Sequence, residues 1–273
     1  MFTLPFPAID PVAFEIGPVV VRWYALSYLV GFVAGWRLAI GLARRGPIRP
    51  TGEDMDAFIT WAIIGIILGG RLGYVLFYNL SVYLDDPLAI FQVWEGGMAF
   101  HGGLVGAVLA ILLFAWSRGI SPFAVGDLVA AVVPIGLFFG RIANFINGEL
   151  YGRASDVPWA IVFPNGGPEP RHPSQLYEAF LEGLVLFVVM MVLATNRKVR
   201  LRPGTIAGVF FVLYGSFRFL VEFVREPDAQ LGFLWLGATM GQLLSLPMIL
   251  FGAWLVWRAR PVEPTRDADA GTG

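Results

Sequence analysis

The stretch at residues 124–152 reads AVGDLVAAVVPIGLFFGRIANFINGELYG and indicates the class of fold. Most of it is apolar, and the apolar part is long enough to cross the hydrocarbon core of a membrane as a helix. Its end places an arginine, two asparagines and a glutamate where hydrocarbon meets water, and each group is costly to desolvate without a partner. The stretch therefore predicts a membrane helix whose end carries a site for a charged group.

The composition of the whole chain is typical of a polytopic membrane protein, with 57% hydrophobic and 14% charged residues. There is no cysteine, which excludes disulfides, thiolate metal sites and a cysteine nucleophile, so any thiol chemistry has to use a thiol of the substrate. The two histidines, His101 and His172, are too few and too isolated to predict a metal site. The net charge of −1 gives no reason to expect a nucleic-acid partner.

Seven apolar windows are long enough to cross a bilayer. They are 19–40, 57–78, 97–116, 124–146, 175–195, 204–224 and 236–257. Basic residues, of which all but one are arginine, follow the first, third, fifth and seventh windows, whereas the loop at 79–96 is acidic. The positive-inside rule then predicts an N-terminus outside the cell and a C-terminus in the cytoplasm.

The predicted fold class is all-α, a polytopic helical membrane protein with a single transmembrane domain over residues 1–258. The segment at 147–174 contains five prolines and is too long for a turn, so we expect it to form a small external cap. Residues 259–273 are rich in Pro, Asp, Ala, Thr and Gly, which predicts a disordered cytoplasmic tail. The N-terminus is not expected to be a cleavable signal peptide, because its first basic residue is Arg22.

In this topology the polar residues of the helices gather near the outer surface. They are Tyr24, Arg71, His101, Arg141, Asn144, Gln175, Glu178, Glu182, Arg218 and Glu222. A transmembrane pathway would spread such residues through the depth of the bilayer, so the pattern favours a site that opens to the outer leaflet. A transporter or channel is one alternative, supported only by Asp127 near the cytoplasmic side, and a non-catalytic lipid-binding or scaffold protein is another.

Helical spacing groups several of these residues into two stripes. The stripe on the sixth window consists of Tyr214, Arg218, Glu222 and Arg225. The stripe on the fifth window consists of Gln175, Glu178 and Glu182. Arg218 and Glu222 can pair along their helix, either as a self-neutralising structural pair or as part of a site. The second stripe is interpreted as hydrogen bonding to Arg71 or to another neighbouring helix.

Two further groups are candidates for chemistry. Arg141 and Asn144 share one helix face, and Glu149, just beyond that helix, could pair with an arginine or position a substrate hydroxyl. His101 lies near the start of an inward-running helix, where a neutral imidazole is favoured and could act as a general base. A packing role is the alternative for His101, and His172, which lies among prolines, is interpreted as structural.

The same residues resemble the signature of bacterial prolipoprotein diacylglyceryl transferases. The resemblance covers nearly the whole chain up to about residue 257. Its blocks are GRIANFINGE at 140–149, RWY at 22–24, HGG at 101–103, HPSQLYE at 172–178, YGSFR at 214–218 with Glu222, and REPD at 225–228. It implies transfer of the diacylglyceryl group of phosphatidylglycerol to the thiol of a lipobox cysteine in a prolipoprotein, with glycerol-1-phosphate as the leaving group. This reaction is the first step of bacterial lipoprotein maturation.

The resemblance also implies which residues are important. They are Tyr24, His101, Arg141, Asn144, Glu149, Gly152, Tyr214, Arg218 and Glu222. Arg141 and Arg218 are expected to hold the phosphate and stabilise its developing charge, and His101 is expected to take the thiol proton. The other six are expected to bind substrate, with Glu222 holding Arg218.

The expected setting is the bacterial cytoplasmic (inner) membrane, with the active site toward the outer leaflet. The expected partners are phosphatidylglycerol, the signal peptide of a prolipoprotein with its lipobox cysteine, and membrane lipids, and neither a cofactor nor a metal is needed. A lipid phosphatase or another phosphatidylglycerol transferase would also use paired arginines.

Overall fold

Seven apolar helices make up most of the computed structural model, which describes residues 4–7, 9–227, 232–234 and 237–265. Six of them are long and apolar enough to cross a membrane, and the seventh, Thr205–Val221, is shorter. In chain order the helices are α1 (Trp23–Arg44), α2 (Gly52–Phe77), α3 (Leu80–Asp85), α4 (Phe100–Arg118), α5 (Pro122–Ile146), α6 (Ser174–Thr195), α7 (Arg197–Arg200), α8 (Thr205–Val221) and α9 (Met240–Arg258). The predicted polytopic helical fold is thereby confirmed, and each predicted window overlaps one of the seven apolar helices.

Three pairs of helices pack closely, α1 with α5, α2 with α4, and α8 with α9. Glycines permit this approach, because a Cβ atom added at Gly31 of α1 would lie only 3.1 Å from the Cα atom of Gly136 in α5. The helix α5 also packs against α6 and α8. Its end, which carries Arg141 and Asn144, is therefore surrounded by other helices.

Short strands depart from the expected purely helical fold. The strands β2 (Val12–Ile16) and β3 (Val19–Arg22) form an antiparallel hairpin before α1. The strand β1 (Leu4–Pro5) pairs in parallel with β4 (Ile161–Val162), which lies in the segment between α5 and α6. The segment at 147–174, predicted as a cap, is thus tied to the N-terminal residues.

The buried carboxylate of Asp127 has a structural explanation. Its two oxygens accept hydrogen bonds from the backbone N–H groups of Gly204, at 2.9 Å, and Ala207, at 2.8 Å. These groups lie at the N-terminus of α8, where backbone donors lack helical partners. Asp127 therefore caps a helix, which removes the one residue that supported a transport pathway.

Residues 259–265 of the predicted tail lie against loops at the same end of the molecule. The backbone N–H of Val262 donates to the carbonyl of Leu201 at 2.8 Å, and that of Thr265 donates to the carbonyl of Pro47 at 3.1 Å. Disorder was predicted for all of 259–273, and these hydrogen bonds hold its first part in place. Residues 266–273 lie outside the described residues.

Candidate active site

Six ionisable side chains from α5, α6 and the end of α8 form one group, which we call the ion-paired cluster. Its members are Arg141, Glu178, Glu182, Arg218, Glu222 and Arg225. The three carboxyl groups are fully buried, and the three guanidinium side chains are between 12% and 18% exposed. Paired arginine and carboxylate side chains offset much of the desolvation that burial costs each of them.

Glu178 is the centre of the ion-paired cluster. Its Oε2 atom lies 2.5 Å from Nε of Arg141, and its Oε1 atom lies 3.1 Å from Nη1 of Arg218. The same Oε1 atom is 3.7 Å from Nε of Arg225. One carboxylate of α6 thus fixes the guanidinium groups of α5 and α8 relative to each other.

Glu222 holds the other side of Arg218. The two side chains form the ion pair along the helix that the sequence predicts. Oε1 of Glu222 also lies 3.2 Å from Nη1 of Arg225, and the hydroxyl of Thr239 donates to Oε2 at 2.5 Å. Both carboxylate oxygens therefore have partners, and Arg218 is held between Glu178 and Glu222.

The second stripe was predicted to bond to Arg71 or to another helix, and the structure shows the second alternative. Glu178 pairs with arginines of α5 and α8. Arg71 instead donates hydrogen bonds to the backbone carbonyls of the loop that follows α3. The acceptors are Ala89, Ile90, Gly96 and Gly97. Arg71 therefore holds that loop and takes no part in the ion-paired cluster.

Glu149 is held by amides. Its Oε1 atom accepts hydrogen bonds from Nδ2 of Asn144 at 2.8 Å and from Nδ2 of Asn147 at 3.2 Å. The side chain of Gln175 donates to the backbone carbonyl of Glu149 at 2.6 Å, which joins this turn to α6. From the sequence, Glu149 could either pair with an arginine or position a substrate hydroxyl. Its contacts with the two amides leave its carboxylate available as an acceptor.

The two tyrosines predicted to bind substrate lie at the edges of this region. Tyr24, at the start of α1, shares a hydrogen bond of 3.1 Å with the hydroxyl of Tyr28, and lies within electrostatic range of Glu149 and Arg141. Tyr214 of α8 stacks on Phe210 with ring centroids 5.7 Å apart. It lies within electrostatic range of Arg218 and Arg141. Both tyrosines therefore belong to the neighbourhood of the cluster.

Gly152 is required by a close approach of three backbone segments. Its N–H donates to the carbonyl of His172 at 2.8 Å, and the next residue, Arg153, donates its N–H to the carbonyl of Val224 at 2.8 Å. A Cβ atom at Gly152 would lie 2.5 Å from the carbonyl oxygen of Val224 and 2.7 Å from Cβ of His172. No side chain fits at this position. Gly152 also forms an isolated antiparallel β-bridge with Arg225.

Arg153 is a residue that the sequence analysis did not single out. Its guanidinium group donates to the backbone carbonyls of Arg225, at 2.8 Å, and Glu222, at 3.0 Å. It therefore positions the chain just after α8, from which two members of the ion-paired cluster project. Its place next to Gly152 in the sequence was the only available signal.

The structure does not bring His101 into the ion-paired cluster. It is the second residue of α4, it is exposed, and its ring contacts that of Phe100 with centroids 5.6 Å apart. Within the described ranges, no hydrogen bond or ion pair joins His101 to Arg141 or Arg218. His101 is therefore placed on the α2–α4 pair, whereas the arginines lie on α5 and α8.

His172 has the structural role expected for it. Its Nδ1 atom lies 3.1 Å from the hydroxyl of Tyr177, which also accepts a hydrogen bond from Nε1 of Trp159 at 2.6 Å. Burial lowers the pKa of His172, because the charged imidazolium would lose its hydration. His172 therefore joins the cap segment to the start of α6.

The geometry is suited to an anion that needs two guanidinium groups. Arg141 is anchored through Nε, and its Nη2 atom lies 3.8 Å from Oε2 of Glu182, which is beyond hydrogen-bond distance. Terminal N–H groups of Arg141 can therefore donate to an incoming acceptor. Arginine presents its donors in a planar fork that matches a phosphate or a carboxylate.

Comparisons with known proteins agree with this geometry. The sequence model of the prolipoprotein diacylglyceryl transferase family matches residues 11–258. A phosphatidylglycerol–prolipoprotein diacylglyceryl transferase of Azospirillum brasilense is 66% identical over 262 residues, which cover 95% of this chain and 98% of the relative. Proteins of the same name from Rhodospirillum centenum and Rhodospirillum rubrum are 60% and 59% identical, each over 97% of both chains.

Proposed function

The chain belongs to the prolipoprotein diacylglyceryl transferase family, and on that premise we propose that it transfers a diacylglyceryl group from phosphatidylglycerol to a prolipoprotein. The acceptor is the thiol of the lipobox cysteine, and glycerol-1-phosphate leaves. The observation that most strongly supports this proposal is the convergence of Arg141 and Arg218 on one buried carboxylate, Glu178. Two guanidinium groups fixed in this way suit the phosphate of a lipid headgroup.

The protein is a multi-pass membrane protein, and we place it in the bacterial cytoplasmic (inner) membrane. The arginines in alternate loops support an N-terminus outside and a C-terminus in the cytoplasm. In this orientation the end of α5, the start of α6 and the end of α8 face the outer leaflet. Both substrates, a phospholipid and a signal peptide, present their reacting groups at that surface.

The proposed reaction is a substitution at carbon. The substrate thiolate attacks the glycerol carbon that carries the phosphate, a sulfur–carbon bond forms, and the carbon–oxygen bond breaks. The electron pair of that bond stays on the phosphate oxygen, so a diester becomes a monoester and gains negative charge. Arg141 and Arg218 stabilise this charge, and removing one such donor typically costs about 100- to 1000-fold in rate.

His101 is the proposed acceptor of the thiol proton. It is exposed at the start of α4 and lies outside the ion-paired cluster, so it is available to the second substrate while the arginines hold the first. A cysteine thiol has a pKa near 8.5, so a small thiolate fraction is present at neutral pH without a base. A base therefore contributes less than the phosphate-binding arginines do.

The remaining residues are proposed to bind the headgroup. The carboxylate of Glu149, oriented by Asn144, is an acceptor for glycerol hydroxyls. Tyr24 and Tyr214 border the cluster, Gly152 permits the close packing next to Arg225, and Glu222 holds Arg218. The proposed substrate-binding residues are therefore Tyr24, Asn144, Glu149, Gly152, Tyr214 and Glu222.

The direct test is incubation of the purified protein with phosphatidylglycerol vesicles and a lipobox peptide, followed by mass spectrometry. We expect the peptide to gain one diacylglyceryl group on its cysteine, with release of glycerol-1-phosphate. A peptide with serine in place of that cysteine is the matched control and should stay unmodified. Absence of the mass gain from protein that is folded and lipid-bound would refute the proposal, and glycerophosphate release without any peptide would indicate a lipid hydrolase.

A further inference from the structure

Glu182 is a buried carboxyl group that the proposed reaction does not use. Its side chain is 0% exposed, and neither of its oxygens accepts a hydrogen bond from any described residue. The nearest cationic nitrogen is Nη2 of Arg141, at 3.8 Å from Oε2. An ionised carboxylate that is buried without hydrogen-bond donors is strongly disfavoured.

The groups around Glu182 are already paired with other residues. Those that face it are Arg141 on α5, Tyr214 and Arg218 on α8, Arg225 after α8, and Glu178 on its own helix. The three arginines form their short contacts with Glu178 and Glu222. A second negative charge beside Glu178 would also be repelled by it in this low-dielectric environment.

Glu182 also lies in an unusual part of its helix. Residues Ala179–Val185 of α6 form a π-helical segment, and such segments are rare and occur frequently at functional sites. Within it, Gly183 packs against Phe138 of α5, which brings α6 close to the helix that carries Arg141. The carboxyl group of Glu182 is thereby enclosed behind the arginines, where water does not reach it.

We propose that Glu182 is held as a neutral carboxylic acid and thereby leaves the ion-paired cluster with one net positive charge. The cluster then has three guanidinium groups against two carboxylates, Glu178 and Glu222. This inference rests on the proposed function, because one net positive charge matches the single negative charge of a phosphodiester headgroup. If all three carboxyl groups were ionised, the cluster would be neutral. Binding of the lipid phosphate would then add a negative charge that no group of the cluster compensates.

Infrared spectroscopy tests the protonation state without measuring activity. The protein is prepared in lipid with its glutamate carboxyl carbons labelled with ¹³C, so that the buried Asp127 does not contribute. At neutral pH we expect a shifted carbonyl band of a protonated glutamic acid, and Glu182→Gln should abolish it. Glu226→Gln, which removes an exposed carboxylate outside the cluster, is the matched control and should reduce the carboxylate absorption while the acid band remains.

The same spectra give the results that would overturn the proposal. Absence of an acid carbonyl band from the labelled wild-type protein means that Glu182 is ionised, and this measurement holds even if Glu182→Gln does not fold. A loss of carboxylate absorption in Glu182→Gln, with no change in the acid region, leads to the same conclusion.

Transfer assays separate this inference from the proposed function. We expect Glu182→Gln to lower transfer far less than Glu178→Gln, which should lower it by about 100- to 1000-fold. If the wild-type protein does not modify the lipobox peptide, the proposed function fails while the infrared result stands. If the wild type is active and Glu182→Gln loses as much activity as Glu178→Gln, the negative charge of Glu182 is needed and the inference is wrong.

Discussion

Replacing Glu178 by glutamine tests whether one carboxylate holds the candidate site together. The change is nearly isosteric, but it removes the charge that faces Arg141 and Arg218. The amide oxygen can accept from one guanidinium group, and the amide nitrogen then points its hydrogens at the donors of the other. At least one of the two arginines therefore loses its contact with residue 178, and among the described residues Arg141 has no other carboxylate within hydrogen-bond distance.

The expected loss is large because the pair is buried. The side chain of Glu178 is 1% exposed, and its partners Arg141 and Arg218 are 18% and 15% exposed. Removal of one partner from a buried ion pair costs about 3–5 kcal/mol, and the retained amide oxygen favours the lower end, about 3 kcal/mol. Because the shared carboxylate no longer aligns the two arginines with each other, we expect kcat/KM to fall by about 100- to 1000-fold.

The experiment measures both quantities on the same protein samples. Thermal or denaturant unfolding in lipid–detergent micelles gives the change in stability, and the mass-spectrometric transfer assay gives kcat/KM. The matched control is Glu226→Gln, which removes the charge from an exposed pair, since the Glu226 side chain is 48% exposed and 3.0 Å from Arg171. An exposed pair of this kind contributes about 0–1 kcal/mol, so the control should unfold and react almost as the wild type does.

If Glu178→Gln keeps wild-type stability and wild-type kcat/KM, Glu178 does not hold the candidate site together. That result would mean that Arg141 and Arg218 hold their positions through other contacts. A variant that loses stability but not kcat/KM would separate the two effects and show that the alignment of the arginines is unimportant for transfer.

Three further predictions follow from the same geometry. Arg141→Ala should lower kcat/KM by about 100- to 1000-fold and His101→Ala by less, and the opposite order in the transfer assay would contradict the assigned roles. Gly152→Ala should destabilise the protein by about 1–3 kcal/mol in an unfolding assay, because its Cβ meets backbone, whereas Gly140→Ala, with nothing within 4 Å, should not. Burial lowers the pKa of His172, so the unfolded state binds a proton at this residue more readily than the folded state does. The free energy of unfolding should therefore fall as the pH falls below about 6.5. His172→Asn should reduce this dependence of stability on pH in an unfolding assay.

The local features of this chain could be predicted from its sequence. The helices follow from apolar length, which is a property of consecutive residues, and the Arg218–Glu222 pair follows from a spacing of four within one helix. The sequence also shows several polar residues close together at 141–149, and two of them, Asn144 and Glu149, form a hydrogen bond in the structure. Each of these features depends on residues that are close in the chain.

The contacts between distant segments could not be predicted in this way. Glu178 joins helices that precede and follow it, and its spacing within α6 indicates only that it shares a face with Glu182. Asp127 could be recognised as a buried carboxylate near the cytoplasmic side, but its partners at Gly204 and Ala207 lie 77 and 80 residues away. The pairing of β1 with β4 also joins distant segments, which is why the predicted fold lacked strands.

The position of His101 bears on how two substrates share one site. The arginines belong to α5 and α8, whereas His101 belongs to α4, which packs mainly against α2. If the base and the phosphate-binding groups are on separate helix pairs, the thiol and the phospholipid must approach from different sides and meet between them. Removing His101 should then raise the KM for the peptide more than the KM for the lipid, and removing Arg141 should do the reverse. Equal effects on both KM values would show that the two residues act at one common position.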